Sequence, residues 1–193
     1  MTTNDTVLTT LGNDTIDQLD AHWTTQLRPR FEGLTDLEYG WEPTPGAWNV
    51  RVRGTGTAPV QAGSGEMTID FAYPQPVPPP VTTIAWRLGH LIVGVFGARV
   101  ASHFGGPPVD YDSHAYAATA DEALRQLDAA YAAWLAGVHG WVETDTLLER
   151  LGAVEGPYAE LSRFDLVLHI NRETIHHGAE VALLRDLWAH RTD

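Results

Sequence analysis

The segment that most restricts the fold is the C-terminal stretch, residues 168–188. Its apolar side chains recur at three-, four- and seven-residue steps, the period of an amphipathic helix with one buried stripe. We therefore predict one long helix here and expect the rest of the chain to converge on it. The stripe consists of Ile170, Thr174, Val181, Leu184 and Trp188.

A second line of side chains runs beside this stripe and carries groups that can bind a metal or move a proton. His169, Glu173 and His177 follow one another at steps of four residues. Residues four apart on a helix have Cβ atoms about 5–6 Å apart, so these three share one face. His176 is rotated by about 100° from His177 and is not expected to join them. Gly178 leaves room for the close approach of another helix or of a ligand.

Length and charge limit the class of protein. The 193 residues, of which 44% are hydrophobic and 19% charged, fit one domain that spans residues 1–193. The formal net charge of −13 makes nucleic acid and anionic membranes poor partners. The chain has no cysteine, so it can form neither a disulfide nor a thiolate ligand or nucleophile of its own. All twelve basic residues are arginine, which excludes Schiff-base chemistry on lysine and indicates a GC-rich genome.

Targeting signals are not expected. The N-terminal MTTNDTVLTT has neither the basic start nor the apolar core of a signal peptide. Apolar stretches are interrupted by Arg, His or Gly before eighteen residues, so we expect no transmembrane span. A cytoplasmic location agrees with these features.

Apolar periodicity and capping residues predict an all-α fold, a four-helix bundle with a long, partly extended loop between the first and second helices. Residues 1–12 are expected to be frayed. Thr119 and Glu122 resemble a capping box at the start of the third helix, which His139 and Gly140 would end. The predicted helices are 15–31, 82–103, 119–138 and 159–188, with a short fifth at 145–151.

Residues 49–80 differ in character from the rest. Val50, Val52 and residues 67–73 alternate at period two between Gly-rich turns, and the Pro-rich run 74–80 cannot be helical. We expect a loop excursion that contains a small hairpin. Such a loop serves either as a binding element or as a variable surface insertion.

His90 is the third candidate ligand. It lies in the middle of the apolar second helix, and it would meet Glu173 and His177 if that helix packs against the last one. Two imidazoles and a carboxylate suit zinc or nickel, with iron and manganese as further options, and three protein ligands leave a coordination position open. His169 competes for the third place, but the ends of the 169–177 line lie about 12 Å apart along the helix axis. A hydrogen-bonded core histidine and a surface salt bridge are the structural alternatives.

Several segments resemble the DinB-like superfamily, also described as DinB/YfiT-like metalloenzymes. The resemblance extends over most of the chain from about residue 15. Its specific parts are Thr82-Thr-Ile-Ala-Trp-Arg-Leu-Gly-His90 and Asn171-Arg-Glu-Thr-Ile-His-His-Gly-Ala-Glu180, and Tyr39-Gly-Trp41 and Pro45-Gly-Ala-Trp48 are compatible with it.

The resemblance implies an up-up-down-down four-helix bundle, a homodimer, and a metal held by one histidine of the second helix and two of the last. Glu173 departs from that pattern, because the common motif has histidine there. A carboxylate can replace imidazole as a ligand. The sequence of residues 171–180 is most similar to an actinobacterial branch of thiol transferases that use mycothiol, a low-molecular-weight thiol.

Three functional hypotheses follow. The first is a metal-dependent thiol S-transferase in which a divalent ion on His90, Glu173 and His177 activates mycothiol for attack on a small electrophile. The second keeps the site but makes it a thiol-dependent isomerase or a metal hydrolase. The third is a non-catalytic binding or dimerisation module with a vestigial site. Residues expected around the metal, or in the pocket, are His169, Asp165, Arg87, Arg172, Trp48 and Trp86, with packing as the alternative role for the tryptophans.

Overall fold

The computed structural model describes residues 3–192, with side chains described for residues 7–192. The described chain is mostly helical and carries one small sheet. The helices are α1 (Thr3–His22), α2 (Asp36–Tyr39), α3 (Ile84–His90), α4 (Ala98–Phe104), α5 (Ala120–Glu143) and α6 (Arg163–Ala189), and the strands are β1 (Val50–Val52), β2 (Val60–Ala62) and β3 (Met67–Phe71).

The first helix begins much earlier than its apolar pattern. It starts at Thr3, so the expectation of a frayed N-terminus is wrong from that residue onward, while residues 1 and 2 lie outside the described part. Gly12 explains the extension, since its backbone packs so closely on the end of α5 that a Cβ would overlap Val142. After α1 the chain continues through a π-helical turn, Trp23–Leu27, and a 3-10 turn, Arg28–Phe31.

The second predicted helix is confirmed, and it forms the centre of the molecule. We call Ile84–Phe104 the central helix; it joins α3 to α4 through a π-helical segment, Leu91–Gly97. Thr83 caps it, because its Oγ1 accepts a hydrogen bond from the backbone N–H of Trp86 at 3.2 Å. By length and composition this helix is able to cross a membrane. However, 56% of its apolar 18-residue stretch is buried inside the protein, which is consistent with the core helix of a soluble protein.

Helix α5 starts as predicted and ends later. Thr119 Oγ1 accepts a hydrogen bond from the backbone N–H of Glu122 at 3.3 Å, as the sequence indicates. The helix then runs through Gly140 to Glu143 instead of ending near Val138. Trp141 and Val142 are both buried, so the packing of this last turn outweighs the weak helix propensity of glycine.

The short helix predicted at 145–151 does not form. Its backbone pairs with a later segment instead, since the N–H of Leu151 donates to Leu161 and the N–H of Arg163 donates to Glu149, both at 2.9 Å. A 3-10 segment, Ala153–Tyr158, follows. Helix α6 therefore begins at Arg163 rather than near residue 159, after a capping box formed by Ser162 and Asp165.

Residues 49–80 contain the predicted hairpin and one strand more. The sheet is antiparallel in the order β1-β3-β2, with Val50 opposite Ile69 and Val60 opposite Phe71. Ile69 of the middle strand is fully buried against the helical core. The fold is thus mostly α-helical with a small sheet, rather than purely helical.

The four long helical segments pack around one apolar core. The central helix lies against α5 and α6, and α1 contacts both of them from the other side. Helix α6 meets the end of the first helical segment at Gly178, where a Cβ would overlap the side chain of Leu27. The close approach that the sequence predicted at Gly178 is therefore made by another helical segment.

Candidate metal site

Two helices bring the predicted histidines together. His90 is the last residue of α3, and His177 lies in the second half of α6. Their ring centroids are 4.7 Å apart and their planes are nearly perpendicular, at 87°. His177 is buried, whereas His90 is half-buried and so keeps access to a solvent-facing space.

Glu173 adds a carboxylate to this pair. Its Oε2 lies 3.3 Å from Nε2 of His177, and Glu173 precedes His177 by about one turn of α6. Two ligand atoms bound tetrahedrally to one zinc ion, each about 2.0–2.1 Å from it, are about 3.3 Å apart. The separation of these two atoms therefore fits a shared divalent metal.

The other ring nitrogen of His177 is held by Glu180. The Nδ1 atom lies 2.7 Å from Glu180 Oε2, and Arg87 pairs with the same carboxylate oxygen at 3.1 Å. A proton on Nδ1 that is donated to Glu180 leaves the lone pair of Nε2 facing Glu173. Histidines that bind metals typically donate their second nitrogen to a carboxylate in this way.

His90 is fixed in the same manner by a tyrosine. Its Nδ1 lies 2.6 Å from the hydroxyl of Tyr111. Burial raises the pKa of Tyr111 to about 12, so the phenol keeps its proton at neutral pH. In the tautomer with the proton on Nδ1, the hydroxyl oxygen of Tyr111 accepts it, and Nε2 of His90 is the nitrogen available to a metal.

The small sheet supports this arrangement from behind. Trp86 stacks on the His90 ring at 5.4 Å between centroids, and its indole N–H donates to the backbone oxygen of Asp70 at 2.8 Å. Phe71 packs on Tyr111 at 4.7 Å between centroids. The hydroxyl of Tyr111 can reach His90 only because residue 94 is glycine, since a Cβ there would overlap it.

The charge states of His90 and Glu173 suit metal binding. Burial, followed by the nearby charges of His177 and Arg87, lowers the pKa of His90 to about 4, so the imidazole is neutral at pH 7. Burial alone would raise the pKa of Glu173, but His169, Arg172 and His177 outweigh it and hold that pKa below its ordinary value. A neutral imidazole and an ionised carboxylate are the forms that coordinate metals.

His169 and Arg172 lie at the edge of the site. Arg172 donates to Nδ1 of His169 at 2.5 Å and contacts Glu173 Oε1 at 3.3 Å. His169 Nδ1 is 3.7 Å from the same carboxylate oxygen. Because the lone pair of His169 Nδ1 already accepts a hydrogen bond from Arg172, we regard His169 as a neighbour of Glu173 rather than as a ligand.

A second group of candidate ligands includes His176, which the sequence analysis did not expect to join the site. Atoms of His176, His177 and Glu180 that can bind a metal all lie within 4.8 Å of one another. His176 therefore lies close to His177. The Glu180 carboxylate contacts both rings, at 3.6 Å from Nε2 of His176 and 2.7 Å from Nδ1 of His177. His177 thus offers Nε2 to the group with Glu173 and Nδ1 to the group with His176 and Glu180. The second group is a cluster able to hold a metal ion.

A family model described as the DinB superfamily matches residues 18–181. The chain belongs to the DinB superfamily. No curated protein and no solved structure matches it. In this DinB-superfamily chain the matched region contains both groups of candidate ligands and the tyrosine behind His90.

Beside the metal site the DinB-superfamily chain has a cavity of about 500 Å³, which we call the side cavity. His169 and Arg172 form the wall nearest Glu173. Asp165 also lines it, but its carboxylate accepts hydrogen bonds from Ser162, which lowers the pKa of Asp165 and keeps it at the helix cap. The full lining is Arg99, Leu151, Glu155, Tyr158, Leu161, Asp165, Leu166, Leu168, His169 and Arg172.

The remaining predicted pocket residues take different positions. Trp48 and Trp86 are buried and lie 6.0 Å apart between ring centroids, so both pack within the core. Arg87 is tied to Glu180 rather than to the side cavity.

Sequence reasoning missed Tyr111 and Glu180. Glu180 follows His177 at a three-residue step, a spacing that places both on one helix face and could have revealed it. Tyr111 lies in a loop, and no periodicity in the sequence connects it with His90.

Proposed function

We propose that this DinB-superfamily chain is a metal-dependent thiol S-transferase. The observation that carries the proposal is the approach of two groups to His177: the His90 ring lies 4.7 Å away between centroids, and Glu173 Oε2 lies 3.3 Å from His177 Nε2. Three protein ligands leave a coordination position open, which is the arrangement of catalytic rather than structural metal sites.

Zinc is the metal that we propose first and nickel the second, because the donor set is two imidazoles and one carboxylate. Bound here, the metal would lower the pKa of a coordinated thiol so that thiolate is present at neutral pH. Glu180 and Tyr111 would hold the two histidine rings in the tautomer that leaves Nε2 free.

The reaction that we propose joins a small thiol of the mycothiol type to a small electrophile. The thiol loses its proton, its sulfur forms a C–S bond with the electrophilic carbon, and the leaving group departs with the bonding electron pair. The chain itself has no cysteine, so the sulfur has to come from a co-substrate. We infer that the protein acts in the cytoplasm, as an up-up-down-down bundle, on small molecules rather than on nucleic acid.

Metal analysis tests the first step. Wild-type protein, His177→Ala and Glu173→Ala would be purified side by side, dialysed, and analysed for zinc and nickel, with the exposed His139→Ala as the matched control. We expect about one equivalent of metal in the wild type and the control, and its loss in both site variants. Absence of metal after reconstitution would leave the non-catalytic binding module as the better description.

Turnover measurements test the second step. The metal-loaded protein would be given 1-chloro-2,4-dinitrobenzene with mycothiol, and the thioether product would be quantified against a metal-free control. Formation of the thioether that depends on both metal and thiol is expected. Hydrolysis without the thiol would indicate a metal hydrolase, and conversion of an isomerisable substrate without consumption of the thiol would indicate an isomerase.

A further inference from the structure

The side cavity has a charge pattern that the metal site does not explain. Its outer wall is the 3-10 segment Ala153–Tyr158, and its inner wall is formed by the central helix and α6. Two of the twelve arginines of the chain, Arg99 and Arg172, line this single space. The formal net charge of the chain is −13, and the cavity combines these two arginines with two acids, Glu155 and Asp165.

The carboxylates of the cavity are already engaged. Glu155 Oε1 lies 2.9 Å from His103 Nε2 and 3.2 Å from Arg99 Nε, and the Glu155 and His103 side chains are 7% and 6% exposed. Asp165 accepts hydrogen bonds from the backbone N–H and the hydroxyl of Ser162. One oxygen of each carboxylate is therefore already paired, which favours an anionic over a cationic ligand beside the arginines.

The arginines keep donors for a ligand. Among the described residues Arg99 Nε is buried without a hydrogen-bond partner, although Glu155 forms an ion pair with it. The Arg172 side chain is 68% exposed and faces the metal site through Glu173. A guanidinium group presents five N–H donors, so each arginine can bind a ligand carboxylate and keep its present partner.

Apart from His169, the rest of the lining is leucine and tyrosine. Leu151 and Leu166 are buried, whereas Leu161, Leu168 and Tyr158 are 45%, 46% and 62% exposed at the mouth. Apolar walls with a few placed polar groups are typical of small-molecule sites, and a cavity of about 500 Å³ is within their usual size.

We infer that the side cavity binds an organic acid with an apolar body, its carboxylate on Arg99 and Arg172 and its body against the leucines and Tyr158. Its role as the site of the electrophilic substrate rests on the proposed function, because Arg172 contacts the Glu173 carboxylate. Binding of the acid itself does not depend on a metal or on turnover.

Calorimetry on the metal-free protein tests this inference with two probes of equal size, hexanoate and hexanamide. We expect hexanoate to bind with a dissociation constant about tenfold lower, the effect of one charge-assisted hydrogen bond of about 1.4 kcal/mol. Arg99→Met should weaken hexanoate about tenfold and leave hexanamide unchanged. Arg125→Met, at a 70% exposed arginine on α5, is the matched control.

A second variant guards against a folding defect in Arg99→Met. Leu168→Glu changes an exposed residue at the cavity mouth and leaves Arg99 and Glu155 in place, so it should fold and should weaken hexanoate binding more than hexanamide binding. Equal binding of the two probes by the wild type, no binding of either, or wild-type hexanoate affinity in both variants would overturn the inference. Preference for hexanoate without transferase activity would refute the proposed function alone.

Discussion

The Glu180 carboxylate lies 2.7 Å from Nδ1 of His177, while Glu173 approaches the other nitrogen of the same ring at 3.3 Å. One buried imidazole thus stands between two carboxylates with different roles. Glu180, which Arg87 also holds, can fix the tautomer, and Glu173 can share a metal with Nε2.

Removal of Glu180 should weaken metal binding without abolishing it. In Glu180→Ala the His177 ring loses its hydrogen-bond acceptor, and we expect metal affinity to fall about 10–100-fold. Competition with a chromophoric chelator measures this, with the exposed Glu143→Ala as control. An affinity equal to that of the wild type would show that Glu180 does not orient the ring.

His176 distinguishes the two groups of ligating atoms around His177. If the metal is held by His90, Glu173 and His177, His176→Ala should keep wild-type affinity, because the His176 side chain is 62% exposed and pairs with Oε1 of Glu180 rather than with the oxygen that contacts His177. His90→Ala should lose most of the affinity. The reverse pattern in the same chelator assay would place the metal on His176, His177 and Glu180.

Gly178 should resist substitution although it lies inside a helix. Gly178→Ala would place a Cβ into Leu27, so we expect a loss of about 1–3 kcal/mol in the free energy of unfolding. Gly140→Ala is the matched control, because a Cβ there meets nothing within 4 Å. Its better helix propensity should add up to about 1 kcal/mol. Urea denaturation of both variants measures the difference, and equal effects would refute the overlap.

The ion pair of Glu38 and Arg185 should matter more than a surface pair. Its side chains are 5% and 18% exposed, and Arg185 Nε lies 2.7 Å from the carboxylate. Glu38→Ala leaves a partly buried guanidinium without its anion, so we expect a loss of about 3 kcal/mol. Glu160→Ala removes the partner of Arg150, where both side chains are more than 70% exposed, and should change stability by less than about 1 kcal/mol. Denaturant titrations compare the two, and losses of similar size would contradict the prediction.

His114 is half-buried, and this gives it an effect on acid stability. Burial lowers its pKa below 6.5, and a hydrogen bond to Gln126 only partly opposes the shift. As pH falls through 6.5, the unfolded chain takes up a proton that the folded protein does not bind, so the free energy of unfolding should decrease. His114→Asn should show a smaller decrease between pH 7 and pH 5, measured by urea titration with His139→Asn as control. An identical pH dependence of wild type and His114→Asn would refute this.

The pattern of the sequence was sufficient to predict most helices and to place Glu173 and His177 on one face of the last of them. The starts of the central helix and α5 depend on Thr83 and Thr119, and a capping threonine acts within one turn of its own position. Likewise, the four-residue step from Glu173 to His177 fixes their proximity as soon as the segment is helical.

Other features depended on contacts between distant segments. Residues 145–151 formed no helix because their backbone found partners at 161–163, and α1 extended to Thr3 because Gly12 allows close packing on α5. No local pattern encodes such pairings.

The sequence by itself determined a largely helical chain, without cysteine or lysine, whose last helix carries His169, Glu173 and His177 on one face. Only the tertiary structure decided that His90 meets His177, that Tyr111 holds His90, and that a cavity with two arginines opens beside them. The physical reason is range: helix periodicity and capping act over three or four residues, whereas a site between helices requires that distant segments pack in one arrangement.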